Sequence, residues 1–210
     1  MIGYNDYMKY DEKNLVIDNV LTELEIETIY SNVEKSHRSY LMERFTQNIS
    51  DFELPNEIAN KIINYAENIS GVSDLEIAEY QFSRYKNTLK QDGTVGKPIL
   101  PPHYDETFRE PRFTFDYQIG GNTTWPIIVE NIRFELQNNQ ALTFGGTHQV
   151  HWREKKEFSD EQYIDMIFVH LRQRGAGPKS DDVNNIMDLK ADEFRKQYGI
   201  TETWRTQYNA

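Results

Sequence analysis

The spacing of apolar residues predicts two helices near the start of the chain. The first opens on a capping box, in which the Thr22 side chain accepts a hydrogen bond from the third helical N–H while Glu25 reaches back. The second follows Pro55, which suits the first turn of a helix, and ends where a glycine follows its apolar stripe. The predicted elements are a strand over 14–18 and helices over 22–36 and 56–71.

From residue 75 onward the pattern changes to short extended segments, so we expect the main run of strands after the two helices. Apolar and polar residues alternate over 132–136, and the turn-forming residues at 137–140 predict a hairpin with the strand that follows. The 164–169 segment is almost continuously apolar, which is typical of a strand covered on both faces. The predicted strands are 75–85, 112–118, 125–130, 132–136, 141–144 and 163–171.

Short strands without alternating strand–helix units favour an antiparallel sandwich or jelly roll that is buttressed by helices. The 86–101 segment contains glycine and proline and is predicted to be a loop, either a gate over a site or a plain surface loop. We expect a single domain over 1–210, with a core at about 14–172 and a C-terminal helical extension over 178–210.

The C-terminal extension should contain a helix that starts at the Ser-Asp-Asp sequence over 180–182 and stops at Gly199. We expect this helix to pack on the domain or to form a homo-oligomer contact. Its predicted apolar residues are Val183, Ile186, Met187 and Leu189.

Composition excludes several kinds of protein. The 210 residues include no cysteine, so disulfides, thiolate metal sites and cysteine nucleophiles are ruled out, and a metal must bind through histidine and carboxylate. The net charge of −11 argues against a nucleic-acid partner, because binding to phosphates depends on clustered lysine and arginine. The start of the chain lacks a signal-peptide pattern, and no run of 18 apolar residues occurs. We therefore expect a soluble, cytoplasmic protein that does not bind membranes.

Two segments carry candidate metal chemistry. His103 and Asp105 are two residues apart, so on a strand they face the same side. A later histidine can complete a two-histidine, one-carboxylate set, which suits non-haem Fe(II). His148 and His151 are the candidates, and because they are three residues apart only one can face the metal from an extended strand. The alternative is that His103 and Asp105 are solvated surface residues.

Together with this motif, the chain over about 14–171 resembles the 2-oxoglutarate- and Fe(II)-dependent dioxygenase superfamily, in its prolyl-hydroxylase-like branch. The resemblance implies a mainly β fold with flanking α helices, namely the double-stranded β-helix or jelly roll. It also implies Fe(II) as metal, 2-oxoglutarate and O2 as co-substrates, and ascorbate as a candidate reductant. The matching residues are Arg84-Tyr85, His103 and Asp105, and His151-Trp152-Arg153, which makes His151 the preferred distal ligand over His148.

The sequence departs from the family pattern at the residue that binds the distal carboxylate of 2-oxoglutarate. The family places an arginine or lysine at the start of the last barrel strand, but residues 161–162 are glutamate and glutamine here. Arg153 is our first prediction, because it is two residues from His151 and faces the same side if the strand continues. The predicted co-substrate residues are Arg153, then Tyr85, which matches a family tyrosine, with Arg112 and Lys155 in reserve.

The activity that the resemblance implies is hydroxylation of a peptide, an amino acid or a small metabolite. Related halogenases replace the metal-binding carboxylate with a small residue, so Asp105 favours hydroxylation or desaturation over halogenation. Two alternatives stay open: a cupin-type metal dioxygenase that does not use 2-oxoglutarate, and a non-catalytic jelly-roll binding module. Trp125 is predicted to pack in the core, while Trp152 suits either core packing or substrate binding.

Overall fold

The computed structural model describes residues 14–36, 39–42, 46–49, 52–89, 93–96, 98–105, 113–176 and 181–201. Within these ranges the chain forms three helices and thirteen strands. The helices are α1 (Glu23–Lys35), α2 (Asn56–Ser70) and α3 (Asp181–Tyr198). The strands are β1 (Leu15–Asp18), β2 (Ser39–Met42), β3 (Thr46–Ile49), β4 (Leu75–Tyr85), β5 (Thr88–Leu89), β6 (Val95–Gly96), β7 (Leu100–His103), β8 (Phe113–Gly121), β9 (Ile127–Val129), β10 (Ile132–Phe134), β11 (Gln140–Phe144), β12 (His151–Arg153) and β13 (Ile164–Gln173).

Eleven of the thirteen strands form two antiparallel sheets. The large sheet has seven strands in the order β1-β11-β8-β13-β4-β3-β2, and the small sheet has four in the order β10-β9-β12-β7. β5 and β6 pair only with each other. Chain neighbours such as β7 and β8 lie in different sheets, so the chain crosses from one sheet to the other, as in a jelly roll.

Local signals explain why the first two helices lie where the sequence predicts them. Both hydrogen bonds of the predicted capping box form at the start of α1: the Glu25 N–H donates to Thr22, and the Thr22 N–H donates to the Glu25 carboxylate. At the end of α2, Gly71 adopts a left-handed conformation (φ 71°) that glycine takes without steric cost. Both helix predictions are confirmed.

The two faces of the large sheet are buried in different ways. One face packs against α1 and α2, with Phe115 and Val169 of the sheet in the same cluster as Ile29 and Ile62 of the helices. The other face packs against the small sheet through a second cluster that includes Trp125. The prediction that the 164–169 strand is covered on both sides is therefore confirmed, and so is core packing of Trp125. Burial of each such side chain contributes about 1.5–3 kcal/mol to folding.

The predicted order of elements is wrong in two places. Strands β2 and β3 lie between α1 and α2, where no strand was predicted. The only strand predicted before the main run was β1, which precedes α1. The 132–136 and 141–144 segments do not form a hairpin, because β10 pairs with β9 while β11 pairs with β8 and β1. Glu130 and Asn131 both have positive φ (51° and 71°), which closes the tight turn between β9 and β10. The predicted turn at 137–140 exists, but it carries the chain from one sheet to the other.

The 86–101 segment is not a plain loop, since it contains the β5–β6 pair and leads directly into β7. A role as a gate stays a prediction. None of the described helices combines the length and the apolar character needed to cross a bilayer.

Helix α3 packs on the outer face of the small sheet. Phe194 lies 5.0 Å from Trp152, ring centroid to centroid, and the Arg195 guanidinium donates to the Pro102 carbonyl (2.8 Å). Trp152 therefore contributes to packing outside the space between the sheets. Gly199 ends α3 with a φ of 63°, as predicted, while position 180 lies outside the described residues. Of the predicted apolar residues of α3, Met187 is buried, Ile186 and Leu189 are exposed, and the side chain of Val183 is not described.

Candidate metal centre

Two histidines face each other on adjacent strands of the small sheet. His103 at the end of β7 pairs directly with His151 at the start of β12, and their ring centroids are 4.2 Å apart. In each residue the Nδ1 atom lies near the carbonyl oxygen two residues earlier, at 2.8 Å for His103 and 3.1 Å for His151. A carbonyl can only accept, so Nδ1 carries the proton and Nε2 of the neutral ring carries the lone pair that binds a metal.

Asp105 completes the group from just beyond the end of β7. Its backbone N–H donates to the Gly146 carbonyl (2.8 Å), which ties it to the turn before β12. Its Oδ1 atom lies 3.6 Å from Nε2 of His151, and Thr114 of β8 donates to its Oδ2 atom (2.7 Å). Any Cβ atom at Gly146 would overlap the Asp105 carboxylate and the Thr114 hydroxyl, so the turn needs glycine at this point.

One ligand atom from each of His103, Asp105 and His151 lies within 4.8 Å of the others, and all three side chains are shielded from solvent. Two imidazole nitrogens and one carboxylate oxygen at this spacing suit a divalent first-row metal such as Fe(II). The structure thus brings together the three predicted metal ligands.

The Asp105 carboxylate and the neighbouring imidazoles dominate the electrostatics of the metal-free site. Burial alone would raise the pKa of Asp105, but the nearby imidazoles of His170, His151 and His103 outweigh it and hold this pKa well below its ordinary value. Burial opposes a charge on His151, yet the Asp105 carboxylate raises the pKa of His151 above 6.5. The carboxylate is therefore ionised and ready to bind a cation, while metal binding must displace any proton on His151.

His148 does not belong to the group of ligands. It lies buried in the turn over 146–148, where its N–H donates to the Gly145 carbonyl (3.0 Å), and a Cβ atom at Gly145 would overlap its ring. The backbone is not extended here, so the argument from alternating faces did not apply between His148 and His151.

Arg153 lies on β12 two residues beyond His151, facing the space between the sheets, and it is fully buried. Its guanidinium donates to the Trp125 carbonyl and lies over the Trp125 ring (5.3 Å to the centroid). The Nε atom has no hydrogen-bond partner, and no carboxylate of the described residues lies within ion-pair distance of Arg153. Burial lowers the pKa of Arg153, while Asp116 and Tyr85 act against this effect.

The other predicted co-substrate residues differ in position. Tyr85 is buried next to Trp125 (ring centroids 5.0 Å apart), whose ring also contacts the Arg153 guanidinium. Lys155 is solvent-exposed, because the chain leaves the small sheet after β12. Arg112 lies outside the described residues. Only Arg153 and Tyr85 of the four are therefore seen in the space between the sheets.

Solved structures of similar shape support this architecture. The epimerase SnoN in complex with Fe3+, α-ketoglutarate and nogalamycin RO superposes with a TM-score of 0.61 at 12% identity, over 83% of this chain and 84% of SnoN. HygX from Streptomyces hygroscopicus, with nickel, 2-oxoglutarate and hygromycin B bound, gives 0.56 at 12% identity over 88% and 99% of the two chains. A prolyl-4-hydroxylase from Pseudomonas putida gives 0.52 at 9% identity over 78% and 95%.

The fold is the double-stranded β-helix. No family model and no curated protein sequence matches the chain, so this likeness is one of structure at low sequence identity. It confirms the fold that the sequence resemblance implied, a mainly β domain with N-terminal helices and a C-terminal helix.

Sequence reasoning missed four polar residues that face the same interior of the double-stranded β-helix. Thr114 and Asp116 alternate with phenylalanines along β8, and His170 interrupts the apolar run of β13 opposite Glu79 of β4. A polar residue at every second position of an otherwise apolar strand is the signal that was available, because a buried polar group needs a partner or a function.

Asp116 allows a test of the electrostatics by substitution. Burial raises its pKa from 3.8 to about 6, so the folded state holds the proton more tightly than the unfolded state. Its contribution to stability is complete below pH 3.8 and is lost as the pH rises through 6. Asp116→Asn should therefore stabilise the metal-free protein by about 3 kcal/mol at pH 7.5 and by about half of that at pH 5.

Urea unfolding with a chelator present, at both pH values, measures this difference. Asp160→Asn is the matched control, because this carboxylate is exposed and its replacement should change stability equally little at both values. A gain from Asp116→Asn that does not depend on pH would contradict the assignment.

Proposed function

We propose that this protein is an Fe(II)- and 2-oxoglutarate-dependent oxygenase that hydroxylates a small organic molecule. His103, Asp105 and His151 hold the metal, and Arg153, with Tyr85 beside it, binds the distal carboxylate of 2-oxoglutarate. One observation supports the proposal: a fully buried guanidinium with no carboxylate of the described residues at ion-pair distance, two residues from the proposed metal ligand His151 on the same strand.

A fully buried arginine lowers the stability of the folded protein when no anion is bound to it. Asp116 acts on Arg153 electrostatically but lies outside ion-pair distance, and burying a cation without a direct ion pair costs several kcal/mol, which a bound anion would offset. Planar guanidinium can form two parallel hydrogen bonds with a carboxylate, and the Nε atom of Arg153 is available for one of them. Arg153 thus fits a carboxylate ligand better than it fits a role in packing.

The spacing between the two binding groups fits a short dicarboxylate. Alternate residues of a strand are about 7 Å apart and face the same side, so Arg153 lies about that far from His151 along β12. A five-carbon diacid can reach from the metal to Arg153 and carry a negative charge at each end. 2-Oxoglutarate has this shape, and its keto group adds a second metal-binding oxygen.

The bound metal would supply the activation of O2 at the expense of the 2-oxo acid, and the chain supplies binding, orientation and exclusion of water. His103, Asp105 and His151 would hold the metal through three of its coordination positions, and the remaining positions would be available for co-substrates. Arg153 fixes the far end of the diacid, and the Tyr85 and Trp125 rings exclude water around this contact.

A small molecule is the substrate class that we favour. SnoN was solved with nogalamycin RO and HygX with hygromycin B, so proteins with this fold accept small molecules of different chemistry. The net charge of −11 argues against a nucleic-acid substrate. A cytoplasmic location and a homo-oligomer through α3 stay predictions.

The alternative of a cupin-type dioxygenase without 2-oxoglutarate was based on the absence of a basic residue near 161–162. Arg153 offers a buried cation from another position, so this reason no longer applies. No observation favours a binding module without metal over the proposed enzyme, because the three ligands converge on one point.

Turnover of 2-oxoglutarate without a substrate tests the proposal. Purified protein with Fe(II), ascorbate, 2-oxoglutarate and O2 should form succinate at a rate that falls to background when Fe(II) is omitted. Succinate is measured by chromatography, and binding of 2-oxoglutarate by anaerobic calorimetry. Metal binding without 2-oxoglutarate binding would instead support a cupin-type enzyme, and absence of both would support a binding module.

A further inference from the structure

We propose that Glu79 and His170 are positioning residues of the metal centre, which hold the Asp105 carboxylate so that it presents a single oxygen atom to the metal. The inference rests on the proposed function, since it concerns the same metal site, and it adds two residues that do not contact the metal themselves.

These residues form a row across three strands of the large sheet. Glu79 of β4 is the direct partner of His170 on β13, and His170 is the direct partner of Thr114 on β8. Nδ1 of His170 lies 2.5 Å from Oε1 of Glu79, and Nε2 of His170 lies 3.5 Å from Oδ2 of Asp105. The row therefore begins at Glu79 and ends on Asp105.

The two oxygens of Asp105 have different surroundings. Oδ2 accepts a hydrogen bond from Thr114 (2.7 Å) and faces the imidazole of His170. Oδ1 instead faces Nε2 of His151, on the side where the three ligand atoms converge. Because Thr114 and His170 occupy Oδ2, Asp105 is directed to bind the metal through Oδ1 alone.

Glu79 orients the imidazole in this row. A carboxylate oxygen can only accept, so Nδ1 of His170 carries the proton in the contact with Glu79, and this contact fixes the plane of the ring. The exposed fraction falls along the row, from 36% for the Glu79 side chain to 18% for His170 and 11% for Asp105, so each contact is better shielded than the one before.

A distortion of the large sheet lies at this point. The pairing of β13 with β4 shifts by one residue between His170 and Leu171, whereas the strand pairs regularly from Ile164 to His170. Such bulges redirect a side chain and occur next to active sites. The extra residue is Ala78 of β4, so the irregularity lies next to Glu79, while His170 stays in register with Glu79 and Thr114.

Residues that contact a metal ligand without touching the metal matter because they hold the ligand in one orientation. Loss of such a residue typically costs about 10- to 100-fold in metal affinity or activity. A freed Asp105 carboxylate could rotate and bind through both oxygens, which would change the geometry around the metal. The inference therefore predicts a change in metal spectrum as well as in affinity.

The experiment uses Co(II) as the probe, because its visible absorption reports the coordination geometry. Calorimetry and absorption titrations are made on the wild type, His170→Leu, His170→Gln, Glu79→Gln and the double variant His170→Leu/Glu79→Gln. Glu76→Gln is the matched control: Glu76 pairs with Arg172 (2.7 Å) across the same two strands but does not contact Asp105. Circular dichroism and thermal unfolding show which variants fold.

His170→Leu should weaken Co(II) binding about tenfold or more and alter the absorption spectrum. His170→Gln, which keeps an N–H donor near the position of Nε2, should retain most of the affinity. Glu79→Gln should weaken binding in the wild-type background and have no further effect in the His170→Leu background, because it acts through His170. Glu76→Gln should bind Co(II) like the wild type.

Unchanged affinity and spectrum in folded His170→Leu would overturn the inference while leaving the metal centre in place. Equal and additive losses from Glu79→Gln in both backgrounds would also overturn it, since Glu79 would then act independently of His170. A wild-type protein that binds no Co(II) would overturn the metal centre itself, and with it this inference.

Discussion

Asp105→Ala is expected to abolish metal binding and, with it, succinate formation. Asp105 is the one anionic member of the ligand group, and its oxygen faces the same point as the two imidazoles. Removing a ligand should cost more than the about 10- to 100-fold that loss of a residue holding a ligand costs. Anaerobic calorimetry with Fe(II), or with Co(II) in air, measures the affinity directly.

The fold should survive this substitution, because the Asp105 side chain lies at the rim of the core and its loss also removes a buried charge. Thermal unfolding of the metal-free variant checks this point. Asp160→Ala is the control, since it removes an exposed carboxylate and should leave metal affinity unchanged. Fe(II) affinity of Asp105→Ala equal to that of the wild type would refute the metal centre.

Arg153→Met is expected to remove 2-oxoglutarate binding and leave metal binding intact. Hydrogen bonds to charged groups contribute about 1.5–3 kcal/mol each, so the loss of two of them should weaken 2-oxoglutarate binding by about 100-fold or more. The variant should also be at least as stable as the wild type without ligands, because methionine replaces a fully buried cation that has no ion pair with any carboxylate in the described part of the chain.

This combination separates a binding residue from a structural one, since loss of a structural residue would lower stability. Calorimetry with 2-oxoglutarate on the metal-loaded protein and thermal unfolding of the metal-free protein give the two readouts. Lys155→Met is a matched control, because this cation two residues further along is exposed and its loss should not affect 2-oxoglutarate binding. Full 2-oxoglutarate affinity in Arg153→Met, or loss of metal binding there, would contradict the assignment.

The pairing of His103 with Asp105 was within reach of sequence reasoning because it depends on local geometry. His103 and Asp105 lie two residues apart at the end of a strand, and the same spacing on β12 turns His151 and Arg153 to one side. The preference for His151 over His148 came from the resemblance. The argument from alternating strand faces did not apply, because the segment around His148 forms a turn.

Contacts between distant strands were not predictable in the same way. His170 lies in a run that predicts a buried strand, and nothing within that run shows that Glu79, 91 residues earlier in the chain, is its neighbour. The wrong hairpin between β10 and β11 has the same origin. A turn sequence shows that the chain reverses, but whether the next strand stays in the same sheet depends on what each sheet buries.

By itself, the amino-acid sequence determined most helices and strands, the kind of metal that its side chains can bind, and the exclusion of thiolate chemistry, because these follow from residue type and short-range spacing. The tertiary structure decided which strands are neighbours, which histidine joins His103 and Asp105, and that Arg153 is buried away from direct ion pairs with the carboxylates that the structure describes. The physical reason is that these features depend on how the two sheets pack. Packing brings together strands that are far apart in the chain, and short-range sequence patterns do not show which strands will meet.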